Sequence, residues 1–250
     1  MLLLLSPAKS LNMEGERIVE KATIPQYADE TQQLVALMRH KTSQDLQKMM
    51  KVSEKIAQLN VARYARFSTD FTEENSRQAL LAFSGDVYRG LDVDSMSDEE
   101  VLYAQNHVRI LSGLYGILRP LDRMQPYRLE MGTSLPNGAG KDLYEFWRDK
   151  ITVNLQDTGE YVVNLASQEY SKVVKFDRLE ARYVHIHFKE RKNDNYRVIG
   201  TLAKKARGVF ARYMITHKIS DEAGLKAFAE EGYCFNEGMS DEVNYVFTRG

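Results

Sequence analysis

Residues 2–7 read LLLLSP. Four consecutive leucines stop at a serine and a proline, the pattern of a buried strand running into a loop. The other β-rich stretches lie far along the chain: EYVVNLAS (160–167), RYVHIHFKE (182–190), NYRVIGTLA (195–203) and NYVFTR (244–249). The N-terminal strand is therefore expected to join the C-terminal strands in one sheet. Between them the chain is helical in character. Residues 29–67 place Leu34, Leu37, Met38, Leu46, Met49, Met50, Ile56 and Leu59 at helical spacing, and Thr42 with Asp45 reads as a capping box dividing two helices. A further helix is expected from Thr72 to just before Gly85. Ser97 with Glu100 reads as a second capping box, and Val101, Ala104, Val108 and Leu111 continue that helix on one face. Residues 141–155 and 202–217 complete the helices, and 10–27 reads as a loop. The expectation is an α+β fold: a single compact domain over residues 1–250, with a mixed sheet and a largely helical N-terminal half.

The chain has 250 residues, 43 % of them hydrophobic, which suits a globular protein. Thirty-four Lys and Arg against 35 Asp and Glu leave a net charge of −1, so only the distribution of charge can point to a partner. The single cysteine, Cys234, excludes an internal disulfide and a cysteine metal cluster. It suits a reducing cytoplasm. MLLLL lacks the length and basic lead of a secretory core, and no run approaches membrane length. A cytoplasmic protein without a membrane partner is expected.

Charge is segregated. From Asn195 to Ser220 the chain holds Arg197, Lys204, Lys205, Arg207, Arg212 and Lys218 and no acid. KKARG (204–208), read as the opening of a helix, fits phosphate contacts; a solvated helix face fits it too. Ser6-Pro7-Ala8-Lys9 sets polar and cationic groups at the carboxyl end of the first strand, a common place for a site. Its Ser-x-x-Lys spacing lacks the helix and companion motifs of a β-lactamase. In FSGDVYRGL (83–91), Asp86 and Tyr88 face either a turn or a cleft wall. NLASQEYSK (164–172) places Glu169 near Lys172, as acid–base work needs and as a surface ion pair also explains. His185 and His187 share a strand face, but with no third ligand nearby in sequence they read as polar decoration, and no metal or cofactor is expected.

The stretch GLYGILRPLDRMQPYRLEMG (113–132) has neither helical period nor strand alternation. Glycine and proline punctuate it, which fits a binding loop or a tightly folded connector. Helix followed by Gly-rich hairpin suggests a helix-hairpin-helix, although the G-x-x-G spacing differs from the usual one.

Taken together, SPAKSL (6–11), FSGDVYRGL (83–91), RILSGLYGILRPLDRMQPYRLEMG (109–132), GKDLYEFW (140–147), NLASQEY (164–170), KKARG (204–208) and EGYCF (231–235) give a chain that resembles the bacterial peroxide stress protein YaaA family over nearly its full length. The resemblance implies a cytoplasmic protein of hydrogen peroxide survival, associated with lower free intracellular iron. It implies a single domain of unusual fold, with a basic cleft that binds double-stranded and distorted DNA with little sequence preference. A helix-hairpin-helix would map to about 109–122. By motif position, the nucleic-acid contacts would be Lys9, Arg109, Arg119, Arg128, Lys172, Lys204, Lys205, Arg207 and Arg212, with Tyr115 and Tyr127 stacking on unpaired bases. Glu130, Asp122 and Asp86 serve phosphate affinity poorly. They suggest either ion pairs that orient arginines or an enzyme acting on a nucleotide or damaged base. In that rival reading Lys9 or Lys172 is the amine, and Asp86, Asp122 or Glu169 is its acid–base partner.

Overall fold

The computed structural model describes residues 1–15, 17, 19–158 and 160–250. The strands are β1 (Leu2–Leu5), β2 (Ser10–Leu11), β3 (Arg77–Gln78), β4 (Phe83–Ser84), β5 (Val108–Ser112), β6 (Gly116–Leu118), β7 (Arg123–Met124), β8 (Val162–Asn164), β9 (Tyr183–Lys192), β10 (Asn195–Arg197), β11 (Cys234–Phe235) and β12 (Asn244–Arg249). The helices are α1 (Ala28–Arg39), α2 (Ser43–Met50), α3 (Glu54–Arg66), α4 (Ala79–Ala82), α5 (Asp86–Leu91), α6 (Asp98–His107), α7 (Leu143–Gln156), α8 (Gln168–Ser171), α9 (Gly200–Thr216) and α10 (Glu222–Lys226).

The four leucines of β1 are all buried because the strand is sandwiched edge to edge. It pairs in parallel with β8 on one side and β5 on the other. The main sheet runs β11-β12-β9-β8-β1-β5-β6, with β10 also paired to β9. β12, β9, β8, β1 and β5 are mutually parallel, and the outer partners β11, β10 and β6 are antiparallel. This is a single-domain α+β fold with a mixed sheet, and the N-terminal strand does join the C-terminal ones. Counted along the chain, the parallel strands stand in the order 2-1-3-4-5. The chain leaves β1 for β5 on one side and later returns to β8 on the other. In open sheets that reversal leaves a crevice at the carboxyl ends of the two central strands.

Both expected capping boxes are present, Thr42 with Asp45 before α2 and Ser97 with Glu100 before α6. Residues 29–67 form three helices rather than two, because Ser53 supplies a further cap, accepting from the Ile56 amide. The helix expected from Thr72 is not formed. Only Ala79–Ala82 is helical, flanked by β3 and β4. Tertiary pairing overrides local propensity there: the amides of Ala79 and Leu80 donate to the carbonyls of Asp122 and Pro120, and β3 pairs with β7. The helix expected to reach Leu111 stops at His107. Val108–Ser112 is instead a strand, since β1 offers it a full ladder. The stretch 195–203 is a strand only to Arg197, and α9 starts at Gly200. Lys204 is thus the fifth residue of α9, and KKARG does not open the helix.

Residues 108–118 are a β-hairpin, so the expected helix-hairpin-helix is absent. β5 pairs antiparallel with β6 from Ile110↔Leu118 to Ser112↔Gly116. Gly116 turns the chain at φ 69°, in the left-handed region that favours glycine. A Cβ there would also sit 2.6 Å from the Trp147 ring.

α9 packs on β9 and, closely, on α5. The two helices touch at glycines. A Cβ on Gly208 would lie 1.9 Å from the Val87 carbonyl, and one on Gly90 would lie 2.3 Å from the Lys205 carbonyl. Gly→Ala inside an exposed helix stabilises by roughly 1 kcal/mol. Here the added methyl meets backbone that cannot swing aside, and overpacking of that kind costs about 1–3 kcal/mol. Gly208→Ala is therefore expected to destabilise the protein, as a lower urea midpoint will show; a stabilised variant would mean that the helices separate freely.

Candidate functional site

The carboxyl ends of β1 and β8 are tied together by serines. The Ser167 amide donates to Ser6 Oγ at 2.8 Å, and the Ser6 hydroxyl donates to Ser167 Oγ at 3.2 Å. Tyr88 of α5 donates to the Ser6 carbonyl at 3.0 Å, and burial holds its phenol well above its ordinary pKa, hence protonated. β2 and β4 pair beside this point, and Gly85 stands against Ala8. The SPAK and FSGDVYRGL segments, far apart in sequence, thus share one edge of the sheet.

Lys9 projects into solvent there, and its Nζ lies 3.1 Å from Glu130 Oε1. Arg128 reaches the same oxygen with Nε at 3.2 Å and Nη2 at 3.0 Å. Glu130 therefore bridges two cations on different segments. Glu169 Oε1 accepts from the Gly132 amide at 3.2 Å, and Tyr144 donates to the Glu169 carbonyl at 2.8 Å. Lys172 stands 5.0 Å over the Tyr144 ring, a cation–π contact. The loops after β1 and β8 and the end of the Gly/Pro block so converge, with Lys9, Arg128, Glu130, Ser167 and Glu169 as their polar groups. A cavity of about 950 Å³, lined in part by Asn12, Arg17, Arg77, Gly85, Tyr88 and Arg89, opens beside this edge. Its arginines are largely occupied: Arg89 pairs with Asp86, Arg17 with Asp98, and Arg77 donates to the carbonyls of Asn12 and Arg17.

Other residues singled out from sequence have structural work. Tyr115 and Tyr127 are buried and do not present a face to a base. Tyr115 exchanges hydrogen bonds with the Gln125 backbone, Tyr127 bonds to Ser112 Oγ at 2.6 Å, and the two rings pack edge to face. They form the interior of the Gly/Pro block, whose Gly113 approaches Leu129 so closely that a Cβ would fall 2.3 Å from its carbonyl. Asp122 is 1 % exposed and accepts from Thr23 Oγ1, the Arg119 amide and the Arg119 guanidinium. It holds a turn together and is closed to a substrate. Arg109 turns back to the carbonyls of Val108 and Gln105, and burial together with nearby Arg119 depresses its pKa. Arg212 donates to the carbonyls of Leu91 and Asp92, and Lys205 pairs with Glu231. Lys204 is exposed, with no carboxylate within 4 Å among the described residues. Asp86 is part-buried against Arg89. The bridging role of Glu130 and the serine tie were not visible in the sequence, since each depends on strand register.

No group of three or more His, Cys, Asp or Glu is placed to hold a metal among the described residues. His185 bonds to Asn164 and His187 to Asn244. No described helix is long and apolar enough to cross a membrane.

Residues 1–239 match the family described as peroxide stress protein YaaA. The chain belongs to that family. It is 49 % identical to a UPF0246 protein of Cupriavidus metallidurans, over 100 % of this chain and 98 % of the relative. A UPF0246 protein of Ralstonia pickettii is 48 % identical over 100 % of this chain and 99 % of its own length. One from Alteromonas mediterranea is 48 % identical over 100 % and 98 %. Family membership supports a role in the peroxide stress response.

Asp122 separates structural from chemical carboxylates. Removing it leaves Thr23 and the Arg119 amide without their acceptor and the part-exposed Arg119 guanidinium without its carboxylate, and a withdrawn donor left unsatisfied costs about 1–3 kcal/mol. Asp122→Ala is expected to lose stability on that scale in chemical denaturation. A variant of unchanged stability would return Asp122 to the list of reactive groups.

Proposed function

We propose that the protein acts in the peroxide stress response, in the cytoplasm, by binding duplex or distorted DNA through backbone phosphates. One observation supports this above the others. Lys9 after β1 and Arg128 from the Gly/Pro block meet at Glu130 beside the ends of the central strands, and α9, which carries Lys204 to Arg207, packs on α5, the helix whose Tyr88 donates to Ser6. With a net charge of −1, affinity comes from this local cluster rather than from a global field. Contacts of this kind position a duplex without reading its sequence.

The carboxylates at the same edge favour a second reading, an enzyme that acts on a nucleotide or damaged base. Lys9 would act as the amine there, beside Glu130. Incubation with a lesion-bearing oligonucleotide separates the readings, since binding shifts its mobility and chemistry changes its mass.

Each phosphate neutralised on duplex DNA contributes about 0.9 to the slope of log affinity against log salt. Lys204 is unpaired among the described residues and Lys205 is held by Glu231, so the pair is expected to supply one to two such contacts. The Lys204→Ala, Lys205→Ala variant should bind every duplex more weakly, with the slope flattened by roughly one to two units. Duplex titrations at several salt concentrations measure this. A folded variant with the wild-type slope would make this turn a solvated helix face.

A further inference from the structure

β9 outlasts its neighbours in the sheet. At His185 it is paired on one edge with Asn164, the last residue of β8, and on the other with Asn244 of β12. From there to Lys192 it rises about 23 Å further. β12 follows it on its own edge as far as Arg249, opposite Glu190. β10 also pairs at Glu190, through Arg197, and so lies on the other edge, the one that β8 occupies lower down. The β9–β10 hairpin therefore stands beyond the carboxyl end of β8. Asn193 and Asp194 form its turn, with Asn193 at φ 56°, a left-handed conformation that asparagine tolerates. Tyr196 braces the hairpin by donating to the Gly250 carbonyl at 3.3 Å.

This hairpin carries unbalanced charge. Arg191, Lys192 and Arg197 are exposed, and Lys189 is partly so. None of the four has a carboxylate within 4 Å among the described residues, whereas Arg182, Lys205 and Arg249 nearby pair with Glu222, Glu231 and Glu190. Glu190 stands opposite Arg197 in register, but it is turned inward, where it accepts from the Arg249 guanidinium and the Tyr233 hydroxyl. Charge on a free edge strand guards against pairing with another sheet. That accounts for Arg197 on β10 and leaves three cations on β9, whose backbone is already paired.

Strand alternation splits the cations between two faces. Lys189 and Arg191 share one face with Tyr196, and Lys192 and Arg197 share the other. A flat anionic partner would engage one face only. Cations on both faces of a projecting ribbon fit a partner with anionic walls on both sides. The major groove of duplex DNA, about 12 Å wide and bordered by phosphates, admits a two-stranded ribbon.

We propose that the β9–β10 hairpin is an arm that enters the major groove of duplex DNA, with Arg191, Lys192 and Arg197 on the phosphates of its two walls. The proposal rests on the duplex-binding reading above and adds to it the element and the groove.

The test is titration of the full chain with one duplex at several salt concentrations, and with the same duplex carrying glucosylated hydroxymethylcytosine, whose sugars fill the major groove. The Arg191→Ala, Lys192→Ala, Arg197→Ala variant alters exposed side chains and should keep the wild-type Tm. It is expected to flatten the slope of log affinity against log salt by roughly two to three units, at about 0.9 per phosphate. The Arg191→Lys, Arg197→Lys variant keeps the charges and should keep the slope, which separates phosphate contact from an altered fold. Filling the major groove should weaken the wild type by roughly tenfold and leave the alanine variant's affinity nearly unchanged. A wild type that binds no duplex at any salt concentration overturns this proposal and the duplex reading together. A wild type that binds, with an alanine variant of unchanged slope or with indifference to the filled groove, overturns the arm alone and leaves the duplex reading standing.

Discussion

The pairing of β1 with both β8 and β5 is the constraint on which the rest depends. Leu2–Leu5 has no polar face to offer water, so it must be covered above, below and along both edges. Parallel partners on both edges satisfy that, and each must return by a long connection. The first return, through α1 to α6, delivers β5. The second, after the Gly/Pro block and α7, delivers β8. Because the returns go to opposite sides of β1, the loops after β1 and β8 diverge and leave a crevice. Ser6 and Ser167 close its floor.

The Gly/Pro block serves this arrangement as a rigid connector. Its glycines mark contacts rather than hinges: Gly113 against Leu129, Gly116 against Trp147, Gly132 against Glu169. Tyr115 and Tyr127 fill its interior and Asp122 ties its turn. What the block presents is its last part, where Arg128 and Glu130 reach Lys9. One segment is therefore a tightly folded connector along most of its length and a site wall at its end.

Much of this was legible in the chain itself. The leucine run, the two capping boxes and the alternation of 182–190 each name their element because one local pattern decides it. That the ends of β1 and β8 carry polar side chains, Ser6 and Lys9 on one and Ser167 and Glu169 on the other, was legible for the same reason. Residues 72–84 and 108–111 were misread because their backbone hydrogen bonds go to partners distant in sequence, Asp122 and Pro120 for Ala79 and Leu80, and Leu3 to Leu5 for Val108 to Ile110. The aromatic pair was misread as surface for a related reason: Tyr115 and Tyr127 carry polar tips, and only the fold shows those tips satisfied internally by Gln125 and Ser112. A helix-hairpin-helix and a β-hairpin also share their glycine-rich turn, so the flanking ladder alone tells them apart.

The carboxylates near the crevice, which looked unfavourable for an anion site, acquire reasons from geometry. Glu169 fixes the Gly132 backbone, and Glu130 holds Lys9 and Arg128 within reach of each other. Glu130 is thus a paired charge and costs a phosphate ligand less than a free carboxylate at the same distance would, whereas Glu169 is engaged by a backbone amide alone. Asp86 and Asp122 are likewise engaged by Arg89 and Arg119. A net charge near zero is thus compatible with an anion site, because charge acts locally: Lys9 and Arg128 meet at Glu130 on the edge where the topology opens the sheet.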